Sequence, residues 1–271
     1  MKIEIPQLNE TQLSDYHNRF AGVGRLYGQK LYKLLPGVHI TVIGIGGVGS
    51  WTAEALARSG VGKITLIDLD DICMTNTNRQ LHTTVETVGQ MKVDVMAKRL
   101  ASINPILEVD TILDFVTKDN LEQLIPSDCH IIVDAIDSLQ NKAALAAYCR
   151  DHQIPLVTTG GAGGKQDPTL VRSGDLSEST QDNLLKRLKK KLRKDYDFPR
   201  TDKMNISCVY STERAVYPSA DGEVCYKDEL QDKSQAKLDC AEGMGTVSFA
   251  TASFGFAAAS EAMKLIHLYT K

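Results

Sequence analysis

The sequence predicts an α/β fold: a Rossmann-like, mostly parallel sheet with helices on both faces, followed by a C-terminal elaboration. Three observations predict it. Short apolar runs alternate with stretches of helical periodicity from about residue 38 to 160. A glycine cluster, "GIGGVG" at Gly44–Gly49, stands between the first apolar run and the first of those helices. An acidic residue, Asp68, closes the next apolar run ~20 residues further on.

"HITVIG" is the first strand, and "VGSWTAEALARSG" is a helix closed by Gly60, a suitable C-terminal cap. "KITLID" is the second strand. Gly89–Asn104 has helical spacing through Val93, Met96, Leu100 and Ile103 and stops before Pro105. "ILEVDTI" and the continuously apolar "HIIVDAID" give strands three and four. "SLQNKAALAAYCRDHQ" is a helix, and "IPLVTTG" the fifth strand. Beyond Gly160 the rhythm changes. "TTGGAGGKQDPT" is a Gly-rich loop, "STQDNLLKRLKKKLRKDY" a charged helix, "DFPRTDKMN" a loop and "ISCVYSTE" a strand. Pro218–Asp239 is polar and reads as flexible, and a last helix spans roughly 246–269. No long linker interrupts the chain. It is therefore read as a single domain over 1–271, with a nucleotide-binding core at 38–160 and a substrate-binding elaboration at 161–271.

Composition narrows the function classes. The chain has 271 residues, 42% of them hydrophobic, enough for a sizeable core. A net charge of −3 gives no global nucleic-acid signal, although a local basic patch remains compatible with it. The six cysteines include no C-x-x-C pair, which argues against a zinc ribbon and fits reduced thiols in a cytoplasmic protein. The first ten residues lack the apolar stretch of a signal peptide. Gly243–Ser260 carries no charge and approaches membrane-spanning length. Its Gly, Ala, Ser and Thr content instead predicts a tightly packed core helix.

Gly44, Gly46 and Gly49 match G-x-G-x-x-G between a strand and a helix, with Gly47 inside the motif. The first glycine permits the tight turn, the second lets backbone approach a phosphate, and the third lets helix and strand pack closely. Asp68 stands where a carboxylate accepts from ribose hydroxyls. Asp70 and Asp71 follow it and could face solvent. At this point a dinucleotide and ATP are both compatible with the loop. The next stretch favours ATP. "TNTNRQ" places Asn76, Asn78, Arg79 and Gln80 together, and Lys92 stands at a helix start. Nucleotidyl transfer needs positive charge on the triphosphate and on the leaving pyrophosphate, whereas a redox cofactor does not. Asp137, ending a strand, is placed to hold Mg²⁺.

This series resembles the ubiquitin-activating superfamily of adenylating enzymes, whose pattern stands here as "GIGGVG", "DLD", "NTNRQ", Lys92 and "AIDS". The resemblance implies that Asp68 holds the ribose, that Asn76, Arg79 and Lys92 hold phosphates, and that Asp137 helps bind Mg²⁺. It further implies a homodimer in which an N-terminal arginine reaches the partner's ATP. Arg19 is the better match and Arg25 a second candidate. Longer motifs, "RFAGVGRLYG", "TNTNRQ", "IPLVTTGGAGG" and "DCAEGMGT", are similar to those of the bacterial tRNA threonylcarbamoyladenosine dehydratases over about residues 15–265. Ser253 in "TASFGF" is a small departure. That family implies ATP-dependent closure of the threonylcarbamoyl side chain beside the anticodon, through an acyl-adenylate. It also implies links to a cysteine desulfurase and its sulfur acceptor, and in some members a monovalent cation, Na⁺ or K⁺. Cys240 is the candidate should a thiol take part. The run Lys186, Arg187, Lys189, Lys190, Lys191, Arg193 and Lys194 surrounds an apolar stripe of leucines and is expected to contact tRNA phosphates. The alternative is an activator of a ubiquitin-like sulfur-carrier protein. A nicotinamide-dependent dehydrogenase is a further alternative, disfavoured by Arg79 and Lys92.

Overall fold

The computed structural model describes residues 2–229 and 244–267. Two helices precede the sheet, α1 (Glu10–Tyr27) and α2 (Gln29–Leu34), where the sequence reading assigned no element. The signal was a capping box. The Asn9 side chain accepts from the Gln12 N–H, and the Gln12 side chain accepts from the Asn9 N–H. Tyr16 of α1 then packs, with tilted rings, against Phe20 of the same helix and Tyr32 of α2.

The predicted alternation follows as β1 (His39–Ile43), α3 (Gly49–Arg58), β2 (Lys63–Ile67), α4 (Lys92–Ile103), β3 (Glu108–Ile112), α5 (Leu121–Leu124), β4 (Ile131–Asp134), α6 (Leu139–Asp151) and β5 (Leu156–Thr159). The second half adds β6 (Val171–Asp175), α7 (Asn183–Asp195), β7 (Ser207–Ser211), β8 (Val216–Pro218), β9 (Val224–Tyr226) and α8 (Ser248–Ile266). One seven-stranded sheet has the order β3-β2-β1-β4-β5-β7-β6, parallel except for the edge strand β6. Strands β6 and β7 therefore extend the same sheet that the first half begins. Every residue of β1, β4 and β5 is buried, as expected for strands covered on both faces. Helices α3, α4 and α8 supply one apolar layer, and α6 and α7 the other.

One element was not expected and one reading is corrected. Strand β6 falls where the sequence predicts no element, because "VRSGD" has a half-exposed edge-strand pattern rather than an apolar run. Part of the polar stretch 218–239 is ordered. β8 and β9 form an antiparallel hairpin closed at Gly222, whose φ of +87° suits glycine alone. The remainder of that stretch, 230–239, and Cys240 lie outside the described residues. The long uncharged segment becomes α8, and among the described residues no helix is long and apolar enough to cross a membrane. Its small residues serve close packing. A Cβ on Gly255 would lie 2.7 Å from the Val48 carbonyl oxygen, and Thr52 Oγ1 donates to the Gly255 carbonyl at 3.1 Å.

Candidate active site

The sheet's strand order reverses between β1 and β4, and the connections leave in opposite directions there. A cleft opens at such a point, outside the carboxyl ends of the strands. A cavity of about 640 Å³ occupies it. The glycine loop forms its floor. Gly44 adopts φ +86° and donates to the Ile67 carbonyl at 2.9 Å, turning the chain out of β1. Gly44, Gly46 and Gly47 line the cavity. Gly49 does not line it; a Cβ there would stand 1.9 Å from the Gly44 carbonyl oxygen, so its role is to let the loop fold back on itself.

Asp68 is 8% exposed and fixes the loop to β2. Its carboxylate accepts from the Ile45 N–H at 2.6 Å and from the Asp70 N–H at 2.8 Å. Burial raises its pKa, against the nearby Lys92 charge and these two N–H groups. Lys92 is 5% exposed, and its ammonium lies 2.6 Å from Asp70 Oδ2 and 3.9 Å from Asp68 Oδ1. Asp70 thus faces Lys92 at the cavity wall, while Asp71 is exposed.

Arg79 is held at the cavity edge. Its Nη1 donates to the Thr75 carbonyl at 2.8 Å and to Asn78 Oδ1 at 3.0 Å. Its own carbonyl accepts from Trp51 Nε1 and from Thr251 Oγ1 of α8. Asn76 is placed differently from the expectation. It is buried beneath this loop, its Oδ1 accepts from the Cys73 N–H at 3.0 Å, and it is absent from the cavity lining. The neighbouring Asn78 lines the cavity instead, because a 3₁₀ turn over Met74–Asn76 carries Asn76 inward as its cap. Asp137, exposed, closes the far wall with Ser138 and Asn141. The Gly-rich loop after β5 contributes Gly160, Gly161 and Gly163.

Several residues that the sequence reading did not select prove integral. Phe115, half exposed beyond β3, offers an aromatic face to the cavity. Lys142 and Asp134 are both fully buried, 2.8 Å apart, and Thr158 Oγ1 donates to the same carboxylate at 2.7 Å. The other Asp134 oxygen accepts from the Ile136 N–H, fixing the loop that carries Asp137. A lysine inside an alanine-rich helix was the available signal. His82 lies behind Lys92, 2% exposed, and burial followed by the Lys92 charge lowers its pKa to about 4.

Other expected residues lie apart from the cavity. Arg19 and Arg25 are exposed on α1. The leucine stripe of α7 is buried as predicted, but its seven basic residues divide. Lys189 donates to the Ser179 carbonyl, Lys191 pairs with Asp195, and Arg193 donates to the Pro199 carbonyl. Lys186, Arg187, Lys190 and Lys194 are exposed. Among the described cysteines, Cys129, Cys149 and Cys208 are buried, and burial pushes each thiol up, to about 11 for Cys129 and about 12 for Cys208. Among the described residues no group of three or more His, Cys, Asp or Glu could hold a metal by itself.

Comparison with known proteins places this geometry. The tRNA threonylcarbamoyladenosine dehydratase of Escherichia coli (strain K12) is 49% identical over 251 residues, covering 92% of this chain and 93% of that protein. The corresponding Haemophilus influenzae protein is 44% identical over the same shares of each chain. The crystal structure of the E. coli tRNA N6-threonylcarbamoyladenosine dehydratase in complex with ATP superposes with a TM-score of 0.83 at 44% identity, covering 97% of this chain and 98% of that one. The ThiF family model matches residues 17–271, and the chain belongs to that family and, within it, to the tRNA threonylcarbamoyladenosine dehydratases.

Proposed function

We propose that the chain is a cytoplasmic enzyme that uses ATP to dehydrate N6-threonylcarbamoyladenosine in tRNA, next to the anticodon, to its cyclic form through an acyl-adenylate. The observation that carries the reading is convergence. Asp68, Asp70, Arg79, Lys92, Asp137 and three glycines of one loop meet in a single cavity at the switch point of the sheet. Relatives bearing that activity match nearly the full chain.

The residues fit ATP. Asp68 would accept from the ribose hydroxyls, and Phe115 would lie against the base. Gly46 leaves backbone open to the phosphates, since the nearest atom to a Cβ there is Gln80 Nε2 at 3.8 Å. Lys92 and Arg79 would neutralise phosphate charge as the pyrophosphate leaves. Asp137 would hold Mg²⁺ together with the phosphates, which supply the ligands that the protein lacks. Bound there, the ion draws charge from the phosphate oxygens.

The chemistry answers a defect of carboxylates, whose leaving group would be oxide. The substrate carboxylate oxygen attacks the α-phosphorus, and pyrophosphate departs. The ureido nitrogen of the same side chain then attacks the acyl carbon. AMP leaves with that oxygen, the nitrogen releases its proton, and a five-membered ring has formed. The net loss from the nucleoside is one water. The nucleophile is intramolecular, so orientation supplies much of the acceleration. No thiol is needed for this route. For exchange with a cysteine desulfurase and its sulfur acceptor Cys240 remains the candidate; Cys129, Cys149 and Cys208 are buried, whereas Cys73 is exposed.

Arg19 would reach the ATP of the second protomer in a homodimer; its exposure on α1, off its own cavity, supports this. The exposed basic residues of α7 would meet tRNA phosphates. The test is incubation with ATP, Mg²⁺ and threonylcarbamoylated tRNA, then digestion and mass spectrometry, with Asp137→Ala as the control. Loss of one water in the nucleoside is expected. An unchanged mass with the wild-type chain would refute the proposal.

A further inference from the structure

A second cavity, of about 470 Å³, lies on the other side of the Gly160–Gly161 loop. It is built from the start of α7 and the segment that enters the β8–β9 hairpin. Lys186, Lys189, Arg214 and Lys227 line it, with Tyr217 and Asn183 between them. Four cations face one carboxylate, and that carboxylate is already occupied. Asp182 is 7% exposed, and it accepts from the Leu185 N–H at 2.8 Å with Oδ1 and from the Gly161 N–H at 2.9 Å with Oδ2. Lys189 is anchored on the Ser179 carbonyl, and Arg214 pairs with Asp228 while lying over the Tyr226 ring. Among the described residues Lys186 and Lys227 have no ion-pair partner.

The two cavities are separated by residues in direct contact, the Gly161 N–H donating to Asp182 Oδ2. Gly160, Gly161 and Leu184 line the first; Asp182 and Asn183 line the second. A Cβ on Gly160 would lie 2.1 Å from Asp182 Oδ2, so the glycine is what allows this close approach. Resting on the function proposed above, we infer that the second cavity binds the RNA phosphodiester backbone immediately flanking the modified adenosine, through Lys186, Arg214 and Lys227. A nucleotide that sends its base side chain into the first cavity has flanking phosphates that need a cationic surface close by, and the second cavity adjoins the first through this contact. Polyanion binding calls for available cations and adjustable lysine donors; Lys186 and Lys227 supply both, and Arg214 would exchange Asp228 for a phosphate. The footprint differs from that expected of the basic run alone. It takes one end of α7 and adds two residues distant in sequence.

The test compares Lys186→Ala/Lys227→Ala with Lys98→Ala/Lys118→Ala, which removes the same charge from exposed sites elsewhere. Binding of a threonylcarbamoylated anticodon stem-loop is measured by fluorescence anisotropy across a salt series, and ATP binding by calorimetry. The cavity pair should weaken RNA binding by roughly tenfold or more and reduce the salt slope by about 1.4, as expected for two lost contacts to a single strand. ATP affinity should hold. The Lys190→Ala/Lys194→Ala pair should lose several-fold less than the cavity pair. Equal losses in the cavity and control pairs would overturn the inference. So would a drop in ATP affinity, which would assign the cavity to the nucleotide. Unchanged RNA binding with lost binding of a polyglutamate peptide would make it an acidic-protein site. Failure of the wild-type chain to bind the stem-loop at all would instead count against the proposed function.

Discussion

Two glycines three residues apart should fail in opposite ways. At Gly46 the backbone lies outside the left-handed region, and an added Cβ meets nothing closer than 3.8 Å. Gly46→Val should therefore leave the fold within about 0.5 kcal/mol of wild type, a melting shift of no more than ~2 °C. Its branches would project into the space required by the phosphates. ATP binding should weaken by at least ~100-fold, equivalent to ~2.7 kcal/mol. At Gly49 the same addition overlaps a backbone oxygen at 1.9 Å, which no rotamer can relieve. Gly49→Ala should cost about 3 kcal/mol or more and lower the melting temperature by roughly 6–12 °C. The assay is thermal unfolding with and without saturating ATP, backed by calorimetric titration. Wild type should gain stability with ATP in proportion to the logarithm of its concentration. Gly46→Val should melt normally and gain nothing. If Gly46→Val binds ATP as wild type does, or loses as much stability as Gly49→Ala, the assignment of loop to phosphates is wrong.

Three further outcomes can be checked. Lys142→Met leaves the Asp134 carboxylate buried without its cation, and should destabilise by ~3–5 kcal/mol, seen as a drop of roughly 6–20 °C in melting temperature; a change under ~2 °C would show that the pair contributes little. His82 titrates at about 4 when folded and near 6.5 when unfolded. The unfolded chain binds the extra proton between those values, so stability is full above pH 6.5 and should decline by up to about 3 kcal/mol as pH falls to 4. In His82→Leu that part of the slope should vanish in pH-dependent denaturant melts, whereas an unaltered slope would place the acid sensitivity elsewhere. Finally, Arg19→Ala and Asp137→Ala should each be inactive, and refolding them together should restore about a quarter of the sites, because a mixed dimer contains one intact composite site. No recovery on mixing would place Arg19 outside the partner's site.

The parallel core and the main site were legible because their signals are local. Apolar runs fully covered on both faces, a glycine cluster at a strand end and an acidic residue after the next strand all follow from one βαβ unit. What escaped depended on contacts between distant segments. Lys142 looks like a surface lysine until α6 settles against β4 and β5. Asn76 and Asn78 have the same chemistry, and only the direction of a 3₁₀ turn decides which reaches the cavity. Phe115 belongs to no periodic pattern, and the edge strand β6 carries too few apolar residues to announce itself. The basic run on α7 was legible as a helix face, but the carbonyls that hold Lys189 and Arg193, those of Ser179 and Pro199, lie outside the helix.

The last helix has a consequence for how the enzyme comes into being. Thr251 donates to the Arg79 carbonyl, Asn78 reaches the Thr246 carbonyl, and Gly255 seats α8 directly on the helix that follows the glycine loop. The nucleotide site, whose signature stands at Gly44–Gly49, is thus closed by residues made about 200 positions later. A nascent chain still lacking α8 has the motif without its lid. Competence to bind ATP should therefore arise only after α8 has been made, and ribosome-bound intermediates stalled before residue 246 should emerge from the exit tunnel blind to nucleotide.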